Sequence, residues 1–184
     1  MASFRIVFAG PIGAGKTTAI GALSDVPPVA TEVQSAEAQA VGKATTTVAF
    51  DYGQILLPAG DVVQLYGTPG QARFDFMWPL IAENAIGAVI LADNRRADTL
   101  ACTVNYVRQF APRIAHGNCV VGVGRHQTGP SLDDYADALD EAGFDLPVMA
   151  IDVRLRSQAM LLLDVLLARL EAARQLGREA PNAA

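Results

Sequence analysis

Gly10-Pro11-Ile12-Gly13-Ala14-Gly15-Lys16-Thr17 sets two glycines, a lysine and a hydroxyl at the fixed spacing G-x-x-x-x-G-K-[ST]. Glycines at those places let the chain curl so that successive backbone N–H groups turn inward on phosphate oxygens. A helix starting at the last positions adds the partial positive charge of its N-terminus. Lys16 is then expected on the β- and γ-phosphates, and Thr17 as a hydroxyl ligand of Mg²⁺. The residues expected to bind the polyphosphate are Gly10, Pro11, Ile12, Gly13, Ala14, Gly15, Lys16, Thr17 and Thr18. Such a loop implies a nucleoside triphosphate, but not which base or which reaction.

A loop of this kind needs a strand before it and a helix after it, and the chain supplies both. Phe4–Ala9 is a β-rich run, and Lys16–Leu23 reads as a short helix stopped by Pro27 and Pro28. Val29–Ala44 has no clear period and reads as irregular, with a helical turn considered at Ser35–Ala40. Thr47–Leu57 and Asp61–Tyr66 flank the turn chemistry of Pro58-Ala59-Gly60 and predict an antiparallel hairpin. Ala85–Ala92 is a continuous apolar run, as expected of a strand covered on both faces, and Asn118–Val123 reads as another buried strand. Leu146–Ile151 is a shorter one. Helical spacing joins Leu100, Val104, Val107, Ala111 and Ile114, with Pro112 expected to kink or end that helix. Ser131 to Asp134 forms a capping box for the next helix, and Ser157–Leu176 is the last.

Strands alternating with helices predict an α/β fold: a mostly parallel six-stranded sheet, one antiparallel edge strand and helices on both faces. The expected domain is residues 1–176, with 177–184 as a frayed tail. The length, 184 residues, suits one domain, and 51% hydrophobic residues exclude disorder. A net charge of −5 argues against nucleic acid as a partner, since a phosphate-backbone binder needs a basic face. No apolar stretch is long enough to span a membrane, and no signal or lipidation pattern stands out, so a cytoplasmic setting is expected. Cys102 and Cys119 have no metal or redox spacing and are expected as reduced thiols; His116 and His126 form no cluster.

Two further segments carry a family likeness. Lys43-Ala44-Thr45-Thr46-Thr47-Val48-Ala49-Phe50-Asp51 resembles the switch I segment of Ras-like small GTPases, and Tyr66-Gly67-Thr68-Pro69-Gly70-Gln71 resembles the start of their switch II. The likeness extends over about residues 4–175 and is nearest to the bacterial MglA-type proteins and the Ras-like proteins associated with roadblock-domain regulators. It implies a P-loop domain of the Ras-like class, a GTP-binding switch that hydrolyses GTP slowly with Mg²⁺ and returns to the GDP form. It also implies a roadblock-type regulator or GTPase-activating protein as partner. By the same likeness Thr47, with Thr45 and Thr46 as rival registers, would complete the Mg²⁺ shell. Gly70 would offer its N–H to the γ-phosphate, Gln71 would orient the attacking water, and Lys16, Gly70 and Gln71 would form the catalytic set.

The chain departs from that family where base and metal are read. Gly67 stands where the family's switch II begins with Asp, a departure shared by MglA-like proteins. Gly124-Arg125-His126-Gln127 stands where Asn/Thr-Lys-x-Asp is usual, so Gln127 replaces the carboxylate that accepts from guanine N1–H and N2–H₂. A charge-assisted pair is about twice as strong as a neutral one, so guanine selectivity is expected to fall by about 1–3 kcal/mol. Arg125 would still stack on the base, and Asp152 and Val153 fall in the last base-contacting loop. Asp93 ends the apolar run Val89–Ala92 and offers a rival reading as the Mg²⁺-supporting aspartate of P-loop ATPases. Two other functions stay open: a nucleotide-binding scaffold without hydrolysis, and a P-loop small-molecule kinase. Arg95 and Arg96 are expected as a solvated helix start. Phe74, Phe76, Met77 and Trp78 are expected either to pack inward or to form a partner surface.

Overall fold

The computed structural model describes residues 2–27, 29–34, 47–70, 72–114 and 117–179. Its strands are β1 (Ser3–Ala9), β2 (Val29–Gln34), β3 (Thr47–Leu56), β4 (Val62–Gly67), β5 (Ala85–Asp93), β6 (Cys119–Gly124) and β7 (Val148–Ala150). Its helices are α1 (Lys16–Leu23), α2 (Trp78–Ala82), α3 (Thr99–Phe110), α4 (Leu132–Glu141) and α5 (Arg156–Glu179). Short 3-10 turns occupy Ala72–Met77 and Ala111–Arg113, the latter where Pro112 removes a helical donor.

The strands form one sheet in the order β2-β3-β4-β1-β5-β6-β7. Strands β4, β1, β5, β6 and β7 run parallel, while β3 is antiparallel to both of its neighbours. The mostly parallel sheet with helices on both faces is as the sequence predicts, but the sheet has seven strands rather than six. Val29–Gln34, expected to be irregular, pairs with β3, and so the antiparallel strand β3 is covered and β2 is the edge. The reason is partnership: β2 gains its hydrogen bonds from β3 across the register Val29↔Tyr52 to Gln34↔Thr47, which no apolar period announces. The turn considered at Ser35–Ala40 lies outside the described residues. The last helix reaches Glu179, three residues into the segment expected to fray.

Period-two alternation gives the central strands two apolar faces. Val7 and Ala9 of β1 meet Trp78, Tyr106, Phe110 and Leu139 on one side, while Ile6 and Phe8 meet Ile20, Leu23, Leu162 and Leu166 on the other. Each such side chain contributes about 1.5–3 kcal/mol relative to exposure. Trp78 lies 5.0 Å from the Tyr106 ring and 5.4 Å from that of Phe110, so it is core, while Phe76 and Leu80 stay exposed. Cys119 is buried among apolar groups that push its thiol up to about 12. No described helix is long and apolar enough to cross a membrane.

Parallel strands bring their C-terminal ends to one edge. There the loops after β1, β4, β5, β6 and β7 gather. Gly10 is the first residue past β1, at φ +146°, and a Cβ on it would lie 2.2 Å from the Leu91 carbonyl oxygen of β5. Only glycine lets the loop leave the sheet at this point. Asn94, just past β5, donates from Nδ2 to the carbonyls of Thr128 (2.7 Å) and Pro130 (3.0 Å) and accepts from the Tyr135 hydroxyl (2.8 Å). That buried bridge fixes the loop after β6 to the sheet.

Candidate nucleotide-binding site

Two cavities open on this edge, on either side of the Gly10–Thr17 loop. The first, about 330 Å³, is lined by Ile12, Gly13, Lys16 and Thr17 together with Phe50, Asp51, Thr68, Pro69, Gly70 and Phe74. The second, about 350 Å³, is lined by Ala14, Gly15 and Thr18 with Gly124, Arg125, His126 and Gln127 after β6 and Ile151, Asp152, Val153 and Arg154 after β7. Segments far apart in sequence thus meet around one loop. Among the expected site residues, Gln71 and the side chain of Thr47 lie outside what is described; the Thr47 backbone opens β3.

The cavity beside Lys16 carries a buried ammonium. Lys16 is 7% exposed, and its Nζ donates to the carbonyls of Gly10 (2.7 Å) and Pro11 (2.9 Å). Burial pulls its pKa down from 10.5 to about 8, against the Asp51 charge, which raises it. Gly70 packs over the loop: a Cβ placed on it would lie 2.7 Å from the Ile12 nitrogen and 2.9 Å from Lys16 Nζ. The Thr68 hydroxyl, 2% exposed, has no hydrogen-bond partner among the described residues. A buried polar atom left unsatisfied beside a cavity calls for a further partner, whether water, ion or ligand.

Asp51 is the residue that the motif reading missed. Thr17 Oγ1 donates to Asp51 Oδ2 at 2.7 Å. Asp51 pairs across β3 and β4 with Gly67, the position whose usual aspartate is missing. A Cβ on Gly67 would lie 3.0 Å from Asp51 Cβ, so the glycine makes the room that Asp51 uses. The signal was present in the sequence as a gap: a carboxylate absent from one strand and a carboxylate at the end of the run Val48-Ala49-Phe50-Asp51 in the next. A hydroxyl and a carboxylate are hard oxygen donors, which suit Mg²⁺. No group of three or more His, Cys, Asp or Glu side chains able to hold a metal occurs among the described residues. Any such ion would therefore draw on phosphate and water as well.

Asp93 does not line the cavity beside Lys16. Its carboxylate takes Arg95 Nε at 3.1 Å and Arg95 Nη2 at 2.9 Å and lies 3.3 Å from Arg125 Nη1. The hydrogen bonds from Arg95 come first in holding it below the usual carboxylate range. In this arrangement its oxygens are paired with arginines. Arg96 pairs with Asp98 at 2.8 Å on the surface, so both arginines are accounted for locally.

The second cavity carries the exposed side chains of Arg125, His126, Gln127 and Arg154. Arg125 takes a left-handed backbone, φ +56°, and its Nη1 donates to the Gly13 carbonyl at 3.1 Å. That bond carries the loop after β6 onto the phosphate loop. Gln127 is exposed and makes no hydrogen bond among the described residues. Asp152 is bound by its neighbour: Arg154 Nε lies 2.8 Å from Oδ1, Arg154 Nη2 2.5 Å from Oδ2, and the Arg154 backbone N–H donates to Oδ1 at 3.1 Å. These bonds, the side-chain one first, pull its carboxyl down to about 2.

A family profile described as "Conserved hypothetical ATP binding protein" matches residues 29–115. The match runs from β2 to just past α3; it includes neither the Gly10–Thr17 loop nor the residues lining the second cavity. Among solved structures the chain is similar to a bacterial selenocysteine-specific elongation factor, EF-Sec, with a TM-score of 0.63 at 16% identity over 94% of this chain. It spans 29% of that protein's length. No curated protein sequence matches the chain. At that identity the likeness is one of fold.

Proposed function

We propose that the chain is a GTP-binding molecular switch of the Ras-like class with slow, Mg²⁺-dependent hydrolysis to GDP. The observation that carries this reading is Gly70 lying over Lys16. A terminal phosphate held by Lys16 and the loop amides needs the space beside Gly70, so the segment after β4 must answer to whether that phosphate is present. Loop amides from Gly10, Ile12, Gly13, Ala14 and Gly15, with Pro11 shaping the turn and Thr18 beside them, cradle the phosphates. Lys16 and the Gly70 N–H stabilise charge on the transferring group, and Gln71 orients the attacking water. Positioning and fixed charge supply most of the rate, so turnover without a partner is slow.

Thr17 and Thr47 are the residues that would hold Mg²⁺, with Asp51 supporting Thr17 in place of the aspartate missing at position 67. When bound, the ion would neutralise phosphate charge as a Lewis acid. Arg125, Gln127, Asp152 and Val153 form the base end. The segment from Gly70 to Leu80, with Phe76 and Leu80 exposed, is the surface that a roadblock-type regulator would read. The setting is cytoplasmic.

The test is hydrogen exchange on residues 62–80 with GDP and with a non-hydrolysable GTP analogue, beside a phosphate-release assay. Different protection in the two states is expected, with slow release of phosphate. Unchanged protection removes the switch. Tight GTP binding with no phosphate release replaces it with a nucleotide-binding scaffold, and transfer of phosphate to a small acceptor replaces it with a kinase.

A further inference from the structure

We propose that the base end of this site takes 6-oxopurines without requiring a 2-amino group, so that xanthine and hypoxanthine nucleotides bind at least as well as guanine nucleotides. The inference rests on the nucleotide reading above and deepens it. Guanine presents two donors on the edge to be read, N1–H and the 2-amino group. A carboxylate satisfies both; a carboxamide has one acceptor and one donor and satisfies only one. Gln127 is that carboxamide, on the wall of the second cavity and with no partner of its own among the described residues. Its oxygen can accept N1–H from any 6-oxopurine. Its N–H₂ then meets a second donor on guanine, a C–H on hypoxanthine and an accepting carbonyl on xanthine. Complementarity therefore rises from guanine through hypoxanthine to xanthine.

The other lining groups do not restore the missing acceptor. Asp152 is the one carboxylate on that wall, and Arg154 occupies both of its oxygens through Nε, Nη2 and the backbone N–H. Arg125 and Arg154 line the wall with guanidinium N–H donors, paired in part with Asp93 and Asp152, and such donors suit a base carrying carbonyl oxygens. The Val153 N–H has no acceptor among the described residues, and a 6-oxo group supplies one where the 6-amino group of adenine would oppose it. The place of Gln127 is fixed from below. Two residues earlier, Arg125 is pinned to the Gly13 carbonyl and lies 3.3 Å from Asp93. The reader of the base is thereby registered to the loop that cradles the phosphates.

Isothermal titration of the full chain with GDP, IDP, XDP and ADP in Mg²⁺ tests this. XDP and IDP are expected to bind as tightly as GDP or up to tenfold more tightly, and ADP at least tenfold more weakly. Gln127→Asp is expected to move the ratio of GDP to XDP by tenfold or more towards GDP, and Gln127→Ala to erase any advantage of XDP over IDP. A wild-type preference for GDP of tenfold or more over both IDP and XDP overturns the proposal. If Asp152→Asn then abolishes that preference, the base reader is Asp152. ADP binding as tightly as IDP overturns the 6-oxo requirement. If none of the four binds and Lys16→Ala changes nothing, the nucleotide reading itself falls, an outcome distinct from a wrong order among the bases.

Discussion

The two ends of the site are made differently. At the proposed phosphate end, eight consecutive residues supply amides, an ammonium and a hydroxyl, Lys16 is 7% exposed, and Asp51 joins the set from β3. At the proposed base end, two loops from separate strands meet around exposed side chains, and the carboxylate present is paired with Arg154. Phosphate is a constant of every nucleotide, and rigid backbone can recognise it. A base is recognised by a few side-chain donors and acceptors, which change with single substitutions. The phosphate end should therefore respond to substitution steeply and for every nucleotide alike. The base end should respond mildly and selectively.

Lys16→Ala should break the comparison most forcefully. It deletes the buried ammonium and is expected to lower affinity for GTP, ITP and inorganic triphosphate alike by about a hundredfold, because charge-assisted bonds in a desolvated site are strong. Titration calorimetry reads this; near wild-type affinity for all three would remove the phosphate-loop assignment. Asp51→Asn comes next. It keeps the shape and removes the charge facing Thr17, and affinity in Mg²⁺ is expected to fall about ten- to a hundredfold, as for other supporting residues of metal sites. With chelator in place of Mg²⁺ the variant and the parent should differ by about twofold or less. Equal losses with and without the ion would show that Asp51 merely holds α1 against β3.

That substitution also marks the limit of what the sequence could tell. The Gly10–Thr17 loop was legible because all of its chemistry is local, and the parallel sheet was legible because its strands are apolar on both faces. The Thr17–Asp51 bond was not, because it depends on the register Asp51↔Gly67 across a hairpin. β2 stayed hidden because an edge strand of mixed polarity needs its partner before it has a face. Asn94 gave no signal in the sequence, since its three bonds reach Thr128, Pro130 and Tyr135 from more than thirty residues away. At the base end the substitution of Gln127 was plain in the sequence, whereas the capture of Asp152 by Arg154 needed side-chain geometry.

Proton linkage sharpens the contrast further. Lys16 titrates at about 8 in the folded, ligand-free protein and at 10.5 when exposed, because burial disfavours its charge. Between those values the unfolded chain holds a proton that the folded one has released, so this group makes the free protein more stable as pH rises from 8 to 10.5, by about 3 kcal/mol in all. Polyphosphate pairs with the ammonium, so its affinity is fully present below pH 8 and falls about tenfold per unit above it. Calorimetry from pH 7 to 9.5 should show proton uptake on binding at the upper end, and denaturant melts of the free protein should show the opposite slope. Flat affinity over that range would mean that Lys16 is not the phosphate ligand.

The smallest effect tests whether the two ends are separable at all. Arg125 belongs to both: its backbone and stem wall the base cavity, and its guanidinium holds the Gly13 carbonyl. Arg125→Ala should cost about three- to tenfold in affinity for GDP and IDP, the scale of one partly exposed hydrogen bond plus lost stacking on the base. Inorganic triphosphate should lose about twofold or less, because Gly13 also stays in place through the neighbouring Ala14 N–H, which donates to the Pro11 carbonyl at 3.2 Å. Asp93 keeps Arg95, so no buried carboxylate is stranded by the change. If triphosphate binding falls as far as nucleotide binding, the loop needs Arg125 to hold its shape. The phosphate end would then be no more self-sufficient than the base end.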